Sequence, residues 1–327
     1  MHLNKILFFL IIMFTNSKLF SFTEGTAHND DVDIYFRDYG PPTGDPILLV
    51  QGLGGQLINW PEHLISFLID NNFRPIVYDN RDTGLSSRID SKMFSKENVN
   101  KTVRNNYIRY YLRLPIKSEY SLNDMASDGI AVLDKLRIEK AHILGISMGG
   151  MISQLIVSEN PNRVKTFTLI ASTAITPSPF NGPTRKVRNL LLERTKNTEP
   201  STEQRIERTR KIFSEIGYQG IDLNTKEFDE NITTSINRGG VDDTGFGKQI
   251  TAILSSKNRI DKIKSIDTKT LIIHGKEDPL IKVRNAYKMN KLIKNSELII
   301  ISDMRHLIEE PIFDKFKYDL LSHLQTF

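Results

Sequence analysis

The chain has 327 residues, 39% of them hydrophobic and 25% charged, and a formal net charge of +5. These values are ordinary for a soluble globular protein with a large core. The sequence contains no cysteine, which excludes disulfides, thiol nucleophiles and cysteine-ligated metals. Basic residues are interspersed with acidic ones and no nucleic-acid-binding motif is present, so we expect no nucleic-acid partner.

The N-terminal segment, 1–22, has the pattern of a secretory signal peptide. A short basic start precedes a nine-residue apolar run, Ile6–Phe14, which is too short to cross a bilayer. The residues that follow, TNSKLFSF, lack a small-x-small cleavage pair, so an uncleaved anchor and a plain N-terminal extension remain alternatives. A signal peptide predicts an exported protein, periplasmic or secreted. The alternatives predict a membrane-anchored or cytoplasmic one. We expect membrane contact only through this segment.

Strand-like and helix-like segments alternate from about residue 31 onward. The predicted strands are DIYFRDYG (33–40, an outer strand or hairpin), PILLVQG (46–52), PIVYDN (75–80), AHILGIS (141–147) and VKTFTLIAS (164–172). The predicted helices are 61–72, with Pro61 in its first turn, 121–136, which begins with a capping box at Ser121, and 149–159. Continuous apolar runs are typical of buried parallel strands. The alternation predicts a mostly parallel sheet covered by helices.

The pattern changes between residues 176 and 265. This stretch is charged, helical in pattern and without a convincing buried strand, and only NRGGVDDTGFG (237–247) is rich in turn residues. Alternation then returns with the strand TLIIHG (270–275), a helix at 283–294, the strand ELIIIS (297–302) and a terminal helix from about Ile312. We therefore predict a helical cap, 176–265, inserted into an α/β core formed by 23–175 and 266–327.

The stretch HILGISMGG contains the pattern G-x-S-x-G at Gly145, Ser147 and Gly149. This is the pattern of a nucleophile elbow, where a strand turns sharply into a helix and presents its serine. Glycines two residues before and after the serine remove side chains that would collide in so tight a turn. The match lies between an apolar strand and a helix, so Ser147 is the candidate nucleophile.

A serine nucleophile needs a histidine base and a carboxylate that orients the base. Asp278 follows the strand TLIIHG, and His306 follows the next strand, ELIIIS. Both loops leave the carboxyl edge of the sheet, where Ser147 also lies. Glu277 and Asp303 are weaker candidates for the acid, and a turn or helix-cap role is the alternative for Asp278. The remaining histidines lie within predicted strands or helices or near the N-terminus.

The glycine-rich stretch QGLGGQ (51–56) follows the first buried parallel strand. Such a loop can donate backbone N–H groups to an oxyanion, and the residue after the nucleophile supplies a second donor. The predicted donors are the N–H groups of Leu53 and Met148. A plain glycine-rich connection is the alternative, and neither phosphate-binding glycine motif is present.

With these motifs the sequence resembles the α/β-hydrolase superfamily, in particular the capped hydrolases that include esterases, lipase-like enzymes and cofactor-free haloperoxidases. The resemblance runs from about Thr23 to the end of the chain. Its markers are LLVQGLGGQLINWP, YDNRDTGLSS, YSLNDMASDGIAVLDKL, AHILGISMGGMISQ, TLIIHGKEDPL and MRH. One departure is Gln51, where family members commonly have histidine, a change that affects the loop's organisation rather than its main-chain donors. The resemblance also implies a structural role for NRDTGLS (80–86) in shaping the floor of the site.

Together these features predict a serine hydrolase that cleaves carboxylic esters of a small-molecule substrate through an acyl-enzyme intermediate, without a metal or an organic cofactor. A C–C bond hydrolase, a perhydrolase or haloperoxidase-type enzyme, an aminopeptidase and an acyltransferase would keep the same serine. A non-catalytic ligand-binding protein on the same scaffold is the alternative from a different class. Serine at the elbow argues against haloalkane dehalogenases and epoxide hydrolases, which resemble this family but carry aspartate there. The sequence leaves the oligomeric state open.

Two segments outside the cap are candidates to line the substrate pocket. Trp60 precedes Pro61 near the glycine-rich loop, although core packing is the favoured role for this side chain. The stretch YIRYYLRLP (107–115) is aromatic and basic. A lid or surface loop with solvated arginines is favoured there over contact with a membrane or an anionic substrate.

Overall fold

The computed structural model describes residues 21–176, 182–193, 200–239 and 243–327. Within these ranges a single eight-stranded sheet has the order β1-β2-β4-β3-β5-β6-β7-β8. The strands are β1 (Thr23–Asn29), β2 (Val32–Asp38), β3 (Asp45–Val50), β4 (Phe73–Tyr78), β5 (Ala141–Ile146), β6 (Val164–Ile170), β7 (Thr270–Gly275) and β8 (Ser296–Ile301). The pairs β1–β2 and β2–β4 are antiparallel and all the others are parallel. The predicted α/β fold with a mostly parallel sheet is confirmed.

Helices flank the sheet on both faces. They are α1 (Glu62–Asp70), α2 (Val99–Tyr111), α3 (Leu122–Lys135), α4 (Met148–Glu159), α5 (Arg185–Glu193), α6 (Thr202–Ile216), α7 (Lys226–Asn237), α8 (Asp243–Ser255), α9 (Ile260–Lys264), α10 (Arg284–Leu292), α11 (Glu310–Phe313) and α12 (Lys317–Leu324). No helix in the described ranges has the length and apolar character needed to span a bilayer. Of the predicted signal peptide, residues 1–20 lie outside the described part of the chain.

Local sequence signals explain where several elements begin. All six residues of β5 and all six of β7 are buried, as expected for central parallel strands. The capping box at Ser121 is present: its Oγ accepts the N–H of Asp124, and the Asp124 carboxylate accepts the N–H of Ser121 at 2.7 Å. Pro61 is the residue before α1 rather than part of its first turn.

The stretch 107–115, for which a lid or surface loop was favoured, is largely helical, because α2 continues to Tyr111. Val99 and Val103 lie one turn apart on α2 and are fully buried against Phe246 and Ile250 of α8. This packing stabilises α2, because packing rather than propensity supplies most helical stability in proteins.

The turn-rich stretch 237–247 also differs from its prediction, since its last five residues begin α8. Residues 240–242 lie outside the described part of the chain. A Cβ on Gly247 would lie 2.7 Å from Cγ2 of Val99, so this glycine allows α8 to approach α2 closely. The glycine that suggested a turn is therefore a helix-packing residue.

At the C-terminus two short helices, α11 and α12, replace the single helix predicted from about Ile312. The break between them lets Phe313 and Phe316 both enter the core, where their ring centroids lie 5.4 Å apart. Helices α5 to α9 all lie between β6 and β7, in the stretch predicted to be a cap. The division of the chain into core and cap domains stays a prediction.

Candidate active site

Ser147 occupies the sharp turn between β5 and α4. Its backbone has φ 56° and ψ −120°, a conformation that costs a non-glycine residue roughly 1–3 kcal/mol. The surrounding sheet holds this conformation, since the N–H of Ser147 donates to the Ile170 carbonyl at 3.0 Å. The Ser172 hydroxyl donates to the Ser147 carbonyl at 2.8 Å. The turn therefore holds the serine at the carboxyl edge of the sheet, where it lines a cavity.

The glycines of the elbow are required by close contacts. A Cβ on Gly145 would lie 2.6 Å from the carbonyl oxygen of Gly149, which is the collision expected from the sequence. A Cβ on Gly149 would lie 1.9 Å from the carbonyl oxygen of Val50 in β3. The second glycine therefore also allows α4 to start directly against the neighbouring strand.

The structure brings His306 and Asp278 to Ser147. Nε2 of His306 lies 3.0 Å from Oγ of Ser147, and Nδ1 of His306 lies 2.7 Å from Oδ2 of Asp278. Because a carboxylate only accepts hydrogen bonds, Nδ1 carries the proton and Nε2 presents its lone pair to the serine hydroxyl. The N–H of His306 also donates to the Ile216 carbonyl at the end of α6. The three residues predicted from chain order thus form one hydrogen-bonded series.

The Asp278 carboxylate is buried, and protein N–H groups donate hydrogen bonds to it. Its Oδ1 accepts the N–H groups of Leu280 and Ile281 at 2.8 and 2.9 Å. Burial would raise the pKa of Asp278. The charge of His306 and hydrogen bonds from His274 and His306 outweigh that effect and lower the pKa below its usual value. The carboxyl group is therefore an anion at neutral pH, as an orienting partner for the imidazole should be.

His274 is a second imidazole beside this carboxylate, and the sequence reasoning missed it. Its Nε2 lies 2.7 Å from the Ile281 carbonyl and 3.4 Å from Oδ2 of Asp278. Both acceptors require a proton on Nε2. Its short hydrogen bond goes to the Ile281 carbonyl, and the same N–H lies near the carboxylate oxygen that accepts from His306. The available signal was a histidine inside the otherwise apolar strand TLIIHG.

The loop after β3 passes close to Ser147, with a Cβ on Gly52 lying 3.2 Å from the serine Cβ. The Gly52 N–H donates to Oε1 of Gln51 at 2.8 Å, and the Gly54 N–H donates to Oε1 of Gln249 at 2.9 Å. Between these two occupied donors, the N–H of Leu53 has no acceptor among the described residues. Gln51 therefore organises its own loop through its side chain, and the Leu53 N–H lies between two N–H groups that side chains already occupy.

Residues that follow β4 hold the chain after β3 in place through hydrogen bonds. The side-chain amide of Asn80 donates to the Gln51 carbonyl at 3.0 Å. Oδ1 of Asp79 accepts the N–H of Leu57 at 2.7 Å, and both Asp79 and Asn80 are fully buried. These contacts agree with the structural role that the resemblance implied for NRDTGLS.

Gln249, on α8, is a further residue that sequence reasoning missed. Its side chain is fully buried, and besides accepting from Gly54 it donates to the Arg81 carbonyl and to Oγ1 of Thr83 at 2.9 and 2.8 Å. The only sequence signal is a polar pair within the otherwise apolar run FGKQITAIL. Gln249 connects the helices between β6 and β7 to the glycine-rich loop.

A cavity of about 890 Å³ opens above Ser147 and His306. Its wall is mainly apolar and aromatic and includes Trp60, Tyr107, Met151, Phe213, Phe246 and Ile250. Trp60 also packs in the core with Leu57 and Leu64, so both roles considered for it apply. A volume of this size suits a ligand with several rings or a long chain. Among the described residues, no three metal-ligating side chains are grouped so as to hold an ion.

The chain is similar to known hydrolases along most of its length. Residues 45–310 match the family model described as the alpha/beta hydrolase fold. Rhodomycin D methylesterase DnrP of Streptomyces peucetius is 23% identical over 91% of this chain and 97% of its own. The non-heme chloroperoxidase of Burkholderia pyrrocinia is 21% identical over 91% and 98%.

Among solved structures, 2-hydroxy-6-oxo-6-phenylhexa-2,4-dienoate hydrolase from Rhodococcus sp. strain RHA1 superposes with a TM-score of 0.68. The superposition covers 94% of this chain and 99% of that one, at 16% identity. At this identity the likeness concerns the fold. The resemblance that the sequence motifs indicated is confirmed.

Proposed function

The chain belongs to the alpha/beta hydrolase family, and within that family we propose that it is a serine hydrolase that cleaves carboxylic esters of bulky apolar acids. The observation that carries the proposal is the series Ser147–His306–Asp278, joined at 3.0 and 2.7 Å beneath a large cavity. Nucleophile, base and orienting acid within hydrogen-bond distance of one another are the arrangement that acyl transfer requires.

The reaction follows from this geometry. Oγ of Ser147 attacks the acyl carbon while Nε2 of His306 takes the serine proton, and Asp278 stabilises the resulting imidazolium. The oxyanion that forms accepts hydrogen bonds from the N–H groups of Leu53 and Met148. When the intermediate collapses, His306 returns the proton to the leaving alkoxide and the alcohol departs. Water, deprotonated by His306, then attacks the acyl-enzyme, and the acid is released as Ser147 recovers its proton.

The availability of the two N–H groups supports their role as oxyanion donors. Met148 is the first residue of α4, and neither its N–H nor that of Leu53 has an acceptor among the described residues. The first N–H groups of a helix lack intrahelical partners and carry its positive partial charge. A developing negative charge above Ser147 would therefore be stabilised from two sides.

The cavity and one relative support the substrate class. The helices between β6 and β7 supply much of the cavity wall, through residues such as Phe213 of α6 and Phe246 of α8. This contribution supports the proposal that the stretch 176–265 acts as a cap over the site. A relative named as a rhodomycin D methylesterase supports a small alcohol as the leaving group. The cavity of about 890 Å³ supports a bulky acid as the part that fills it.

The proposal is tested by measuring acid release from methyl esters of aromatic acids with one to four fused rings, beside the same acids as amides. We expect kcat/KM to rise with ring number, and Ser147→Ala to lose turnover of every ester. Turnover of C–C bonded diketones without turnover of any ester would assign the alternative C–C hydrolase function. A folded protein that turns over none of these compounds would support the ligand-binding alternative.

A further inference from the structure

The stretch Asn98–Ser118 has an unusual charge composition. It contains the five basic residues Lys101, Arg104, Arg109, Arg113 and Lys117, and no aspartate or glutamate. All five basic residues are exposed. The nearest acids along the chain, Glu97 and Glu119, lie outside the stretch. The stretch therefore presents a concentrated positive charge to solvent on a chain whose other charges are mixed.

The same stretch exposes large apolar side chains. Ile108 is 51% exposed, Tyr111 44%, Leu112 64% and Leu114 46%. These are four of the nine exposed large apolar residues in the described part of the chain, and they fall within seven positions. Scattered exposed apolar residues need no explanation, but clustered ones mark interaction surfaces.

One face of helix α2 packs against α8, and the opposite face is exposed to solvent. Val99 and Val103 face α8, and Asn106 donates to Oγ1 of Thr251 at 3.1 Å, so the inner face is occupied. Arg104, Ile108 and Tyr111 recur at intervals of four and three residues and lie on the outer face. The exposed side chains therefore share one side of the helix.

The chain just beyond α2 continues this surface as a tight turn. The N–H of Leu114 donates to the Arg109 carbonyl at 2.8 Å, and Nε of Arg109 donates to the Pro115 carbonyl at 2.7 Å. Arg113, between Leu112 and Leu114, has φ 56°, which turns the backbone. We call Ile108–Lys117 the basic tip. Residues 111–115 of the tip are all exposed.

We propose that the basic tip docks on an anionic lipid surface. Apolar side chains flanked by arginines on an exposed turn suit a bilayer interface, because the leucines would enter the acyl boundary while the guanidinium groups would meet lipid phosphates. Tyrosine also favours this interface, since its ring is apolar and its hydroxyl polar. From the sequence we expect membrane contact only through the first residues, and a lid or surface loop is favoured for 107–115 over membrane contact. Docking of the basic tip corresponds to that second alternative.

Docking here would place the cavity beside the lipid surface. Tyr107, Tyr110 and Tyr111, on the last turn of α2, line the cavity. Arg188 of α5 reaches the Tyr111 hydroxyl at 3.3 Å, so the tip is connected to a second cavity-lining helix. The docking proposal does not rest on the proposed hydrolase function, and binding is measured without turnover.

The absence of cysteine allows a site-specific test on the full chain. Leu112→Cys and the control Tyr318→Cys each take one solvent-sensitive fluorophore. Tyr318 is 69% exposed on α12. With phosphatidylglycerol–phosphatidylcholine vesicles we expect a blue shift of the label at position 112 and none at position 318. Pure phosphatidylcholine vesicles should leave both labels in water.

The charge requirement is tested in the labelled Leu112→Cys background. Arg109→Gln with Arg113→Gln should raise the lipid concentration for half-maximal shift about 30-fold, since each arginine near an anionic surface contributes about fivefold. Lys288→Gln with Lys291→Gln removes the same charge from exposed positions of α10 and should change that concentration less than about threefold.

Three results would overturn the proposal. If the label at position 112 shows no blue shift with anionic vesicles, lipid docking is excluded, and an acidic protein becomes the alternative partner of the basic tip. Equal shifts at positions 112 and 318, or equal effects of the two charge pairs, would show that the contact is not at the tip. An undiminished shift on phosphatidylcholine alone would exclude an anionic surface as the target.

Discussion

The Gly54 N–H and the Gln249 side-chain oxygen are joined by a hydrogen bond of 2.9 Å that links α8 to the glycine-rich loop after β3. Gln249 is fully buried and has two further hydrogen bonds that fix its orientation. A residue of α8, in the stretch between β6 and β7, thereby holds the loop that carries the Leu53 N–H. The arrangement assigns Gln249 a positioning role.

We predict that Gln249→Met lowers kcat about tenfold and changes KM less than about twofold, because a loosened Leu53 donor affects the transition state more than ground-state binding. Thr83→Val is the matched control. It removes one hydrogen bond of Gln249 but leaves the contact with Gly54. Steady-state kinetics should show unchanged kcat for Thr83→Val. Equal losses of kcat in the two variants would indicate a general packing effect instead.

Asp278→Asn should lower kcat about 10⁴-fold while leaving the fold intact, since an asparagine amide favours the wrong imidazole tautomer of His306. Glu277→Gln, a change at the neighbouring acid, should keep nearly full activity. Ester hydrolysis by both variants distinguishes the two carboxylates. A large loss in Glu277→Gln with activity retained in Asp278→Asn would reassign the acid.

The strained backbone at Ser147 predicts a stability difference between two inactive variants. Ser147→Gly relieves the positive φ, whereas Ser147→Ala keeps it. We expect the glycine variant to be more stable than the alanine variant by about 1 kcal/mol, after allowing for the greater unfolded-state entropy of glycine. Urea unfolding measures this difference. A less stable glycine variant would show that the turn is not strained.

The buried histidine His323 predicts a pH-dependent stability. Burial lowers its pKa to about 4, and its Nε2 faces the Phe167 carbonyl at 3.1 Å. In the unfolded chain the pKa of this histidine is about 6.5, so between pH 6.5 and 4 the unfolded chain binds a proton that the folded chain does not. The contribution of neutral His323 to the free energy of unfolding is therefore complete above pH 6.5 and is lost as the pH falls towards 4.

Between pH 7.5 and pH 5, the free energy of unfolding of the wild type should fall by about 2 kcal/mol more than that of His323→Gln. Urea unfolding at the two pH values checks this. Identical pH dependence of wild type and His323→Gln would contradict the assignment.

The sequence predicted the elements whose signals are local. The elbow glycines, the capping box at Ser121 and the chain order of Ser147, Asp278 and His306 need only strand ends and turn geometry. It missed what depends on distant packing. Helix α2 forms because Val99 and Val103 meet α8, more than 140 residues further along the chain. Gln249 acquires its role only when α8 lies over Gly54, so no local pattern could identify it.

The central claim is that Ser147 is an activated nucleophile, and a fluorophosphonate probe tests it most directly. Peptide mass spectrometry of the labelled protein should find the adduct on Ser147 in the wild type and in Ser214→Ala. Ser147→Ala and His306→Ala should carry none, because the hydroxyl or its base is missing. An unlabelled wild type that is folded, or equal labelling of His306→Ala, would contradict the claim.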